Sequence, residues 1–373
     1  MGGTGTSGCV VTLRDEVVTA AASKDCEQCG RAFAPANIAH RFCEAQCRID
    51  HSFGRAPEET LRRRRTGFAW PPVVPSKPVT VKAPVRKARK PGKWKTAAIL
   101  PDPQIGFWRD LYDNSLTPFH DVRALRIALE IVEAERPDLT IWLGDVCDFA
   151  AFGRYRQEPG FAMTVQPTID TAHEYLALTS ELSGETRFLE GNHDARIHNA
   201  MVDNVQAAAG VRRAKAGPHE WPAMSLPSLL RLDELGVKYI GGYPSCATYI
   251  NDGLAAVHGR FHGSRAMQQN LDREQVSVVQ GHTHHVQAEA RTRNLRDSPT
   301  FAFAYSPGCL CRIDGAVPSR NSGLDAFGKP RRSWEDWQQG VALVRYDDRG
   351  RHHYEQVNIM EGWAMHRNVE YAA

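Results

Sequence analysis

The sequence has no uninterrupted run of about 18 apolar residues, the length that a transmembrane helix requires, so we predict no membrane association. The first eight residues are rich in glycine, threonine and serine, and they lack the basic and apolar segments of a secretion signal. Nine cysteines is an odd number and, without such a signal, does not indicate a disulfide framework. We therefore expect a cytoplasmic protein whose cysteines are free thiols or metal ligands.

Acidic residues are absent from residues 61–95, which contain twelve lysines and arginines and six prolines. Outside this segment 34 basic residues face 43 acidic ones, so the overall net charge of +3 conceals a net charge of −9 in the rest of the chain. Proline-rich basic sequence is typical of an extended linker. We predict a flexible N-terminus over residues 1–23 and a basic linker over residues 53–95.

Four cysteines before the linker form two pairs. Cys26 and Cys29 have the spacing of a tight knuckle, and thirteen residues separate them from Cys43 and Cys47. The second pair is spaced i, i+4, so both sulfurs lie on one face of a helical turn. This pattern resembles a treble-clef zinc finger over residues 24–52, which implies one structural zinc. Its ligands would be Cys26, Cys29, Cys43 and Cys47, with His51 as a substitute.

A zinc module beside a basic segment is suited to binding the phosphate backbone of a nucleic acid. We therefore predict nucleic acid as the partner of residues 24–95. Binding of a partner protein by the same residues is the alternative.

Strands alternate with helices from about residue 96, which predicts βαβ units and an α/β fold. Thr117 and Pro118 have the pattern of an N-cap followed by proline at the first helical position. We expect this helix to end before Pro137. From residue 237 onward strands dominate, so the second half is predicted to be richer in sheet, giving an α+β character.

Polar side chains follow five of the predicted strands. They stand in Asp102-Pro103-Gln104, Gly144-Asp145 with Asp148, Gly191-Asn192-His193-Asp194, His258-Gly259 and Gly281-His282-Thr283-His284. Carboxylate, amide and imidazole groups are ligands for divalent metals. The carboxyl ends of strands in an α/β sheet open onto a common crevice, so the sequence predicts a metal site there.

Five such motifs in this order, each after an apolar strand, resemble the calcineurin-like metallophosphoesterase superfamily over about residues 96–360. The resemblance implies a four-layer α/β/β/α sandwich, here a catalytic domain over residues 96–365. It also implies a metal-dependent phosphoric ester hydrolase with a two-metal centre at the strand ends.

The resemblance further implies a role for each residue of the five motifs. Asp145 would bridge the two ions, since its two oxygens can span metals about 4 Å apart. One site would be completed by Asp102, Gln104 and His284, and the other by Asn192, His258 and His282. His282 and His284 alternate along the chain yet must reach neighbouring metals, so we expect an irregular turn there rather than a regular strand.

The same resemblance implies how the ester would be hydrolysed. A water between the two cations would lose its proton near neutral pH and attack phosphorus. His193 would act as the acid for the leaving group or as a donor to a phosphoryl oxygen. A carboxylate would orient it, with Asp148 favoured by the G-D-x-x-D spacing and Asp194 as the second candidate.

Two departures from the family pattern bear on metal and substrate. Gln104 stands where histidine is usual, and a neutral amide oxygen favours manganese or magnesium over zinc or iron. Phe149 and Ala150 stand where the protein Ser/Thr phosphatases have Arg-Gly, which disfavours a phosphoprotein substrate. Other cations could bind a phosphate through bidentate pairing, namely Arg154, Arg156, Arg196 and Arg260.

These features predict a two-metal phosphodiesterase or nuclease, recruited to nucleic acid by its N-terminal module and linker, with manganese as the first-choice cofactor. A nucleotide or small-molecule phosphomonoesterase is the alternative enzyme. A nucleic-acid-binding protein with a degenerate phosphoesterase domain is the alternative without catalysis. Cys309 and Cys311, in a C-x-C pair after a strand, could form a metal or redox site, but we expect them to pack beside the active-site loops.

Overall fold

A computed structural model describes the greater part of the chain. The described residues are 23–33, 41–43, 47–48, 51, 94–154, 157–274, 276–295, 298–319, 322–325, 327–331 and 334–373. The predicted N-terminal segment as far as residue 22, the linker between residues 53 and 93, and Arg156 lie outside them. Within the described residues, no helix combines the length and apolar character that a membrane span requires. The chain divides into two units, Met1–Arg86 and Lys87–Ala373.

In the first unit, two short antiparallel strands flank the first cysteine pair. Strand β1 (Lys24–Asp25) pairs with β2 (Ala32–Phe33). Between them the N–H of Cys26 donates to the carbonyl of Arg31 over 2.9 Å, and Gly30, at φ +69°, closes the turn. Residues 47, 48 and 51, at and after the last cysteine, are helical, as the i, i+4 spacing predicts.

The second unit is a mixed α/β structure. Its strands in chain order are β3 (Lys95–Leu100), β4 (Phe107–Arg109), β5 (Leu116–Pro118), β6 (Leu139–Trp142), β7 (Thr186–Leu189), β8 (Lys238–Ile240), β9 (Ala247–Asn251), β10 (Leu254–Val257), β11 (Ser277–Gln280), β12 (Val286–Leu295), β13 (Ser298–Pro307), β14 (Gln339–Tyr346), β15 (His352–Met360), β16 (Trp363–His366) and β17 (Val369–Ala372). Its α-helices are α1 (Val122–Glu135), α2 (Val165–Leu182), α3 (Arg196–Asn204), α4 (Leu226–Leu229) and α5 (Ala266–Arg273). Short 3-10 helices cover Ala150–Phe152, Pro159–Phe161 and Gln206–Ala208.

The larger sheet has eight strands in the order β17-β16-β15-β14-β3-β6-β7-β8. Strands β3, β6, β7 and β8 are parallel neighbours, whereas β14 to β17 run antiparallel to one another. The smaller sheet has five strands in the order β12-β13-β11-β10-β9, of which β10, β11 and β13 are parallel. The sheet-rich second half that the sequence predicts is therefore confirmed.

Alternate residues of β3 face two different cores because successive side chains of a strand point to opposite faces. Ala97 and Ile99 join a buried cluster with residues of the smaller sheet such as Val279. Ala98 and Leu100 join a cluster with helices α1 and α2 on the other face. Helix α5 packs its apolar side on β13 of the smaller sheet, through contacts in another buried cluster. Both faces of the parallel strands are thus covered, which explains why they read as continuous apolar runs.

The predicted start of helix α1 is wrong. Thr117 and Pro118 lie in β5, and the helix begins at Val122 with Asp121 as its N-cap. The carboxylate of Asp121 accepts hydrogen bonds from the backbone N–H groups of Arg123 and Ala124, at 2.9 and 3.2 Å. A side-chain acceptor at the N-cap satisfies N–H groups of the first turn that have no partner within the helix. The predicted end before Pro137 is confirmed, since α1 stops at Glu135.

Removing this cap should destabilise the second unit. We expect Asp121→Ala to lower the free energy of unfolding by about 1 kcal/mol, because two N–H groups of the first turn lose their acceptor. Urea denaturation followed by tryptophan fluorescence measures the change. Asp121→Asn keeps an acceptor oxygen and serves as the control. An equal loss of stability in both variants would show that capping is not the function of this side chain.

Candidate metal centre

The predicted ligands converge because they follow the carboxyl ends of parallel strands in the two sheets. Asp102, Asp145 and Asn192 follow β3, β6 and β7, which are neighbours in the larger sheet. His258 and His282 follow β10 and β11, which are neighbours in the smaller one. The carboxyl ends of parallel strands form a crevice, and residues far apart in sequence meet there.

Five of the seven predicted ligands have a left-handed backbone conformation. Their φ angles are 41° at Asp102, 53° at Gln104, 49° at Asp145, 66° at His282 and 57° at His284. Such a conformation is uncommon for residues other than glycine and costs of the order of 1–3 kcal/mol each. The irregular turn predicted at His282 and His284 is confirmed. This concentration of unfavourable backbone geometry is typical of a site whose side chains are aimed for function.

Two glycines allow the crevice to close. Gly144 has φ +92°, and a Cβ there would lie 2.4 Å from Nδ1 of His258. A Cβ on Gly191 would lie 2.2 Å from the backbone nitrogen of Asp145. Neither position can hold a larger residue without displacing a predicted ligand, so the glycines belong to the site.

The first ligand group contains Asp102, Asp145 and His284, whose donor atoms all lie within 4.8 Å of one another. Nε2 of His284 is 3.3 Å from Oδ1 of Asp102. Gln104 joins this group, since its Nε2 donates to Oδ2 of Asp145 over 3.2 Å. Its Oε1 is buried and has no hydrogen-bond partner among the described residues. An unpartnered buried oxygen is costly, and a bound cation would satisfy it.

The second group contains Asp145, His258 and His282, again with donor atoms within 4.8 Å of one another. Nδ1 of His258 is 2.9 Å from the carbonyl oxygen of Leu143, so this nitrogen carries a proton. Nε2 faces two further oxygens, Oδ1 of Asn192 at 3.1 Å and Oδ2 of Asp145 at 3.4 Å. Two oxygens this close to Nε2 are stabilised by a positive charge at this position, which either a proton or a metal ion can supply.

The pKa values of these groups reflect the same concentration of negative charge. Burial lowers the pKa of His258, but the Asp145 carboxylate outweighs it and raises the pKa to about 10. Burial also lowers the pKa of His284, but the hydrogen bond and negative charge of Asp102 outweigh burial and raise the pKa to about 8. Burial and the charge of His258 instead lower the pKa of His282 to about 3. The carboxylates of Asp145 and Asp102 thus favour positive charge on the His258 and His284 rings, and these groups could bind a metal ion instead.

His193 lies beside the two ligand groups. Its backbone N–H donates to Oδ1 of Asp145 over 2.7 Å, and its Nδ1 is 2.6 Å from Oδ1 of Asp148. Arg196, at the start of α3, donates to the carbonyl oxygen of Asp148 over 2.7 Å and places Nη2 3.1 Å from Nε2 of His193. Asp148 therefore contacts the ring of His193, as the spacing of the G-D-x-x-D motif predicts.

Asp194 occupies a different position from the one considered for it as the second candidate. It is fully buried and accepts hydrogen bonds from the backbone N–H groups of Cys147 and Gly191, both at 2.8 Å, and of Val146 at 3.2 Å. These bonds join the turn after β6 to the turn after β7. Burial and the nearby Asp145 charge raise the pKa of Asp194 to about 8, against the backbone donors, which lower it.

The four candidate phosphate-binding arginines are placed differently. Arg196 contacts both His193 and Asp148, as described above. Arg154 and Arg260 are exposed, and the guanidinium of Arg260 lies 5.6 Å from the ring centroid of Phe261. Arg156 lies outside the described residues. Arg196 is therefore the candidate that contacts the predicted catalytic side chains.

Two cysteines and two aromatic residues also adjoin the site. Cys309 and Cys311 follow β13, the third parallel strand of the smaller sheet, and with His284 they form another group of donor atoms within 4.8 Å. The ring of Trp337 packs edge-on against His284 at 4.3 Å between centroids, and Tyr243 packs against His258 at 5.7 Å. The position of the C-x-C pair directly after a strand indicated that it lies near the site. No local sequence pattern predicted the contacts of Trp337 and Tyr243.

In the first unit, the sulfurs of Cys26, Cys29, Cys43 and Cys47 lie within 4.8 Å of one another. Cys29 and Cys43 are 3.6 Å apart at their sulfurs, and Cys43 and Cys47 are 3.8 Å apart. Four thiolates about 2.3 Å from a tetrahedral zinc would be about 3.8 Å apart. The pKa of Cys26 falls to about 6, because backbone N–H groups outweigh the effect of burial. This cluster could hold a structural metal.

Comparison with protein-family models finds no match for this chain, and no curated protein matches it.

Proposed function

We propose that the second unit is a two-metal phosphoesterase of the calcineurin-like superfamily. One observation carries the proposal, namely that two groups of potential metal ligands share the Asp145 carboxylate. A shared carboxylate between two ligand sets is the arrangement by which two-metal hydrolases hold their ions close together. The same residues would be a costly accumulation of buried charge without cations to neutralise it.

The architecture supports the same family. Helices α1 and α2 share a core with one face of the larger sheet, the two sheets share a second core, and α5 shares a third with the smaller sheet. This order of layers is the one expected of a four-layer α/β/β/α sandwich. The crevice at the carboxyl ends of the strands is also where such folds place ligands.

Two divalent cations would be held here by donor sets that fit them. One set comprises Asp102, Gln104, Asp145 and His284, and the other comprises Asp145, Asn192, His258 and His282. Bound ions would supply a nucleophile by lowering the pKa of water, and they would neutralise charge on the phosphoryl oxygens. The amide oxygen of Gln104 makes the first set richer in oxygen, which favours manganese or magnesium, with iron and zinc as the alternatives.

His193, Asp148 and Arg196 would position the ester and transfer a proton to its leaving group. The carboxylate of Asp148, 2.6 Å from Nδ1 of His193, holds the ring in a fixed orientation. The Arg196 guanidinium is close enough to His193 to pair with a phosphoryl oxygen at the same place. His193 would then donate a proton or a hydrogen bond to the leaving oxygen.

Replacing His193 should slow hydrolysis without removing the metals. We expect His193→Asn to lower kcat by roughly 10²–10⁴-fold, which is the contribution typical of a positioned acid or base. Metal content should stay unchanged, because the ring of His193 belongs to neither ligand group. His198→Asn, an exposed histidine of the same helix region, is the matched control. Loss of metal along with activity would show instead that His193 holds the centre together.

Comparing the rates of hydrolysis of a phosphodiester and a phosphomonoester tests the substrate class. We propose a phosphodiesterase or nuclease, since a chain that combines the metal-ligand crevice with a basic segment in its sequence suits a polyanionic substrate. Manganese-dependent hydrolysis of bis-p-nitrophenyl phosphate should exceed that of p-nitrophenyl phosphate. A preference for the monoester would favour a nucleotide or small-molecule phosphomonoesterase. Absence of either activity in the metal-loaded protein would leave a nucleic-acid-binding protein with a degenerate domain.

The basic segment should govern nucleic-acid affinity independently of catalysis. We expect replacement of the eleven lysines and arginines between residues 62 and 93 by glutamine to weaken DNA binding at least about tenfold and to flatten its salt dependence. Lys95 is kept, because it pairs with Asp348. Fluorescence anisotropy at several salt concentrations measures the change.

Hydrolysis of the small diester by this variant should remain at the wild-type rate. Unchanged DNA affinity and salt dependence would instead favour a partner protein as the ligand of the N-terminal region.

A further inference from the structure

The C-x-C pair after β13 lies beside the proposed metal centre, in contact with its predicted ligand His284. Cys309 and Cys311 are completely buried, and Sγ of Cys311 is 3.9 Å from Nδ1 of His284. The donor atoms of all three residues lie within 4.8 Å of one another. A zinc ion about 2.3 Å from sulfur and about 2.0 Å from nitrogen would separate those two atoms by about 3.5 Å in a tetrahedral site. The observed separation needs only a small adjustment to reach that value.

His284 has its two ring nitrogens directed at two different kinds of ligand. Nε2 is 3.3 Å from Oδ1 of Asp102, in the oxygen-rich group, whereas Nδ1 faces the sulfur of Cys311. A neutral imidazole has one free lone pair, because its other nitrogen carries the proton. His284 can therefore complete a site on one side or on the other, but not on both together.

The backbone holds the two thiols in place before any metal binds. Gly308 turns the chain at φ +94°, where a Cβ would be 2.3 Å from the carbonyl oxygen of Gln338. The N–H of Cys309 donates to that carbonyl over 3.0 Å, and the N–H of Leu310 donates to the carbonyl of Asp102 over 3.2 Å. These bonds fix the cysteine loop to the same turn that presents the Asp102 ligand, so the site is preorganised.

We infer that His284, Cys309 and Cys311 form a third metal position, specific for thiophilic cations such as zinc, cadmium or cuprous ion. Thiolates prefer such ions, whereas the neighbouring carboxylates and amide oxygen prefer manganese or magnesium. The thiol protons are released to solvent when the ion binds. Occupation of this position withdraws His284 from the oxygen-rich position, so the two cations compete. This site goes beyond the proposed function, because metal binding there requires no ester hydrolysis.

Cobalt titration of the reduced full-length protein tests the site directly. Thiolate-to-cobalt charge-transfer absorption reports sulfur ligation alone, so cobalt bound to the oxygen-rich positions does not contribute. The four-cysteine cluster contributes equally to wild type and to Cys309→Ser/Cys311→Ser. We expect wild type to bind one further equivalent of cobalt with this absorption, and the double variant to lose it. Cys246→Ser, which removes another buried thiol, should retain it.

A second measurement needs no variant. Wild-type protein loaded with an NMR-active cadmium isotope should give one resonance of a four-sulfur site and a second resonance of a two-sulfur, one-nitrogen site. With cadmium bound, manganese affinity should fall at least about tenfold, as expected when a metal loses a ligand.

A single four-sulfur resonance would overturn the inference. So would equal cobalt absorption in wild type and in the folded double variant. A mass lower by two hydrogens in protein purified without reductant, with both thiols blocked to alkylation, would show a Cys309–Cys311 disulfide in place of the metal site. None of these outcomes depends on whether the protein hydrolyses phosphate esters.

Discussion

Replacement of Asp145 by asparagine should abolish metal-dependent hydrolysis, with kcat/KM falling by about 10³-fold or more, since the metals contribute several kcal/mol to stabilising the transition state. The expectation rests on the position of this carboxylate, which belongs to both ligand groups. One oxygen accepts from the N–H of His193, and the other accepts from Gln104 and faces His258. An asparagine nitrogen in the second position would place a donor against the Gln104 donor and remove the negative charge that the two proposed cations would share.

Metal analysis separates this effect from a general loss of structure. Asp145→Asn should lose both equivalents of the catalytic metal while keeping its secondary structure, as measured by circular dichroism. Asp170→Asn, an exposed carboxamide substitution on α2, should keep metal and activity. Retention of two manganese equivalents by Asp145→Asn would refute the shared-carboxylate centre, and with it the proposed enzyme class.

The second large effect is expected in the first unit, where Cys47→Ser should eliminate the proposed structural metal. Zinc binding to small modules supplies an apparent free energy of about 10–16 kcal/mol, so such modules are unfolded without it. Zinc content should fall by one equivalent, and limited proteolysis should cut between residues 24 and 52. Arg48→Ala, at the exposed neighbour of Cys47, is the matched control and should change neither.

Hydrolysis of the small diester by Cys47→Ser is expected to remain unchanged, because the predicted catalytic ligands all belong to the second unit. Unchanged zinc content in this variant would mean that the four sulfurs are thiols packed without a metal.

The ends of the parallel strands were predictable because a buried parallel strand is a continuous apolar run, and a polar residue ends it visibly. This is why Asp102, Asp145 and His258 could be chosen from sequence. The start of α1 could not, since Thr117-Pro118 and Asp121 are competing cap signals only a few residues apart. Tertiary contacts decided between them, as Asp121 also accepts from Gln339 over 3.0 Å.

Which strands lie side by side was beyond the reach of the sequence. The contact of the C-x-C pair with His284 depends on β13 pairing with β11 rather than with β12 alone. The role of Arg196 likewise depends on the turn after β7 packing against the turn after β6. Local patterns carry no information about such pairings, because these are set by the packing of the whole core.

The strand order also has a consequence for synthesis of the protein on the ribosome. Strand β3, which leads to Asp102, pairs on one side with β6 and on the other with β14, where Ile99 lies opposite Ala342. During translation one edge of β3 stays open until β14 (Gln339–Tyr346) has been made, more than 200 residues later. Premature termination before β14 would leave that edge free to pair with another nascent chain. The proposed metal centre would thus be assembled late, and incomplete products are expected to aggregate rather than to bind metal.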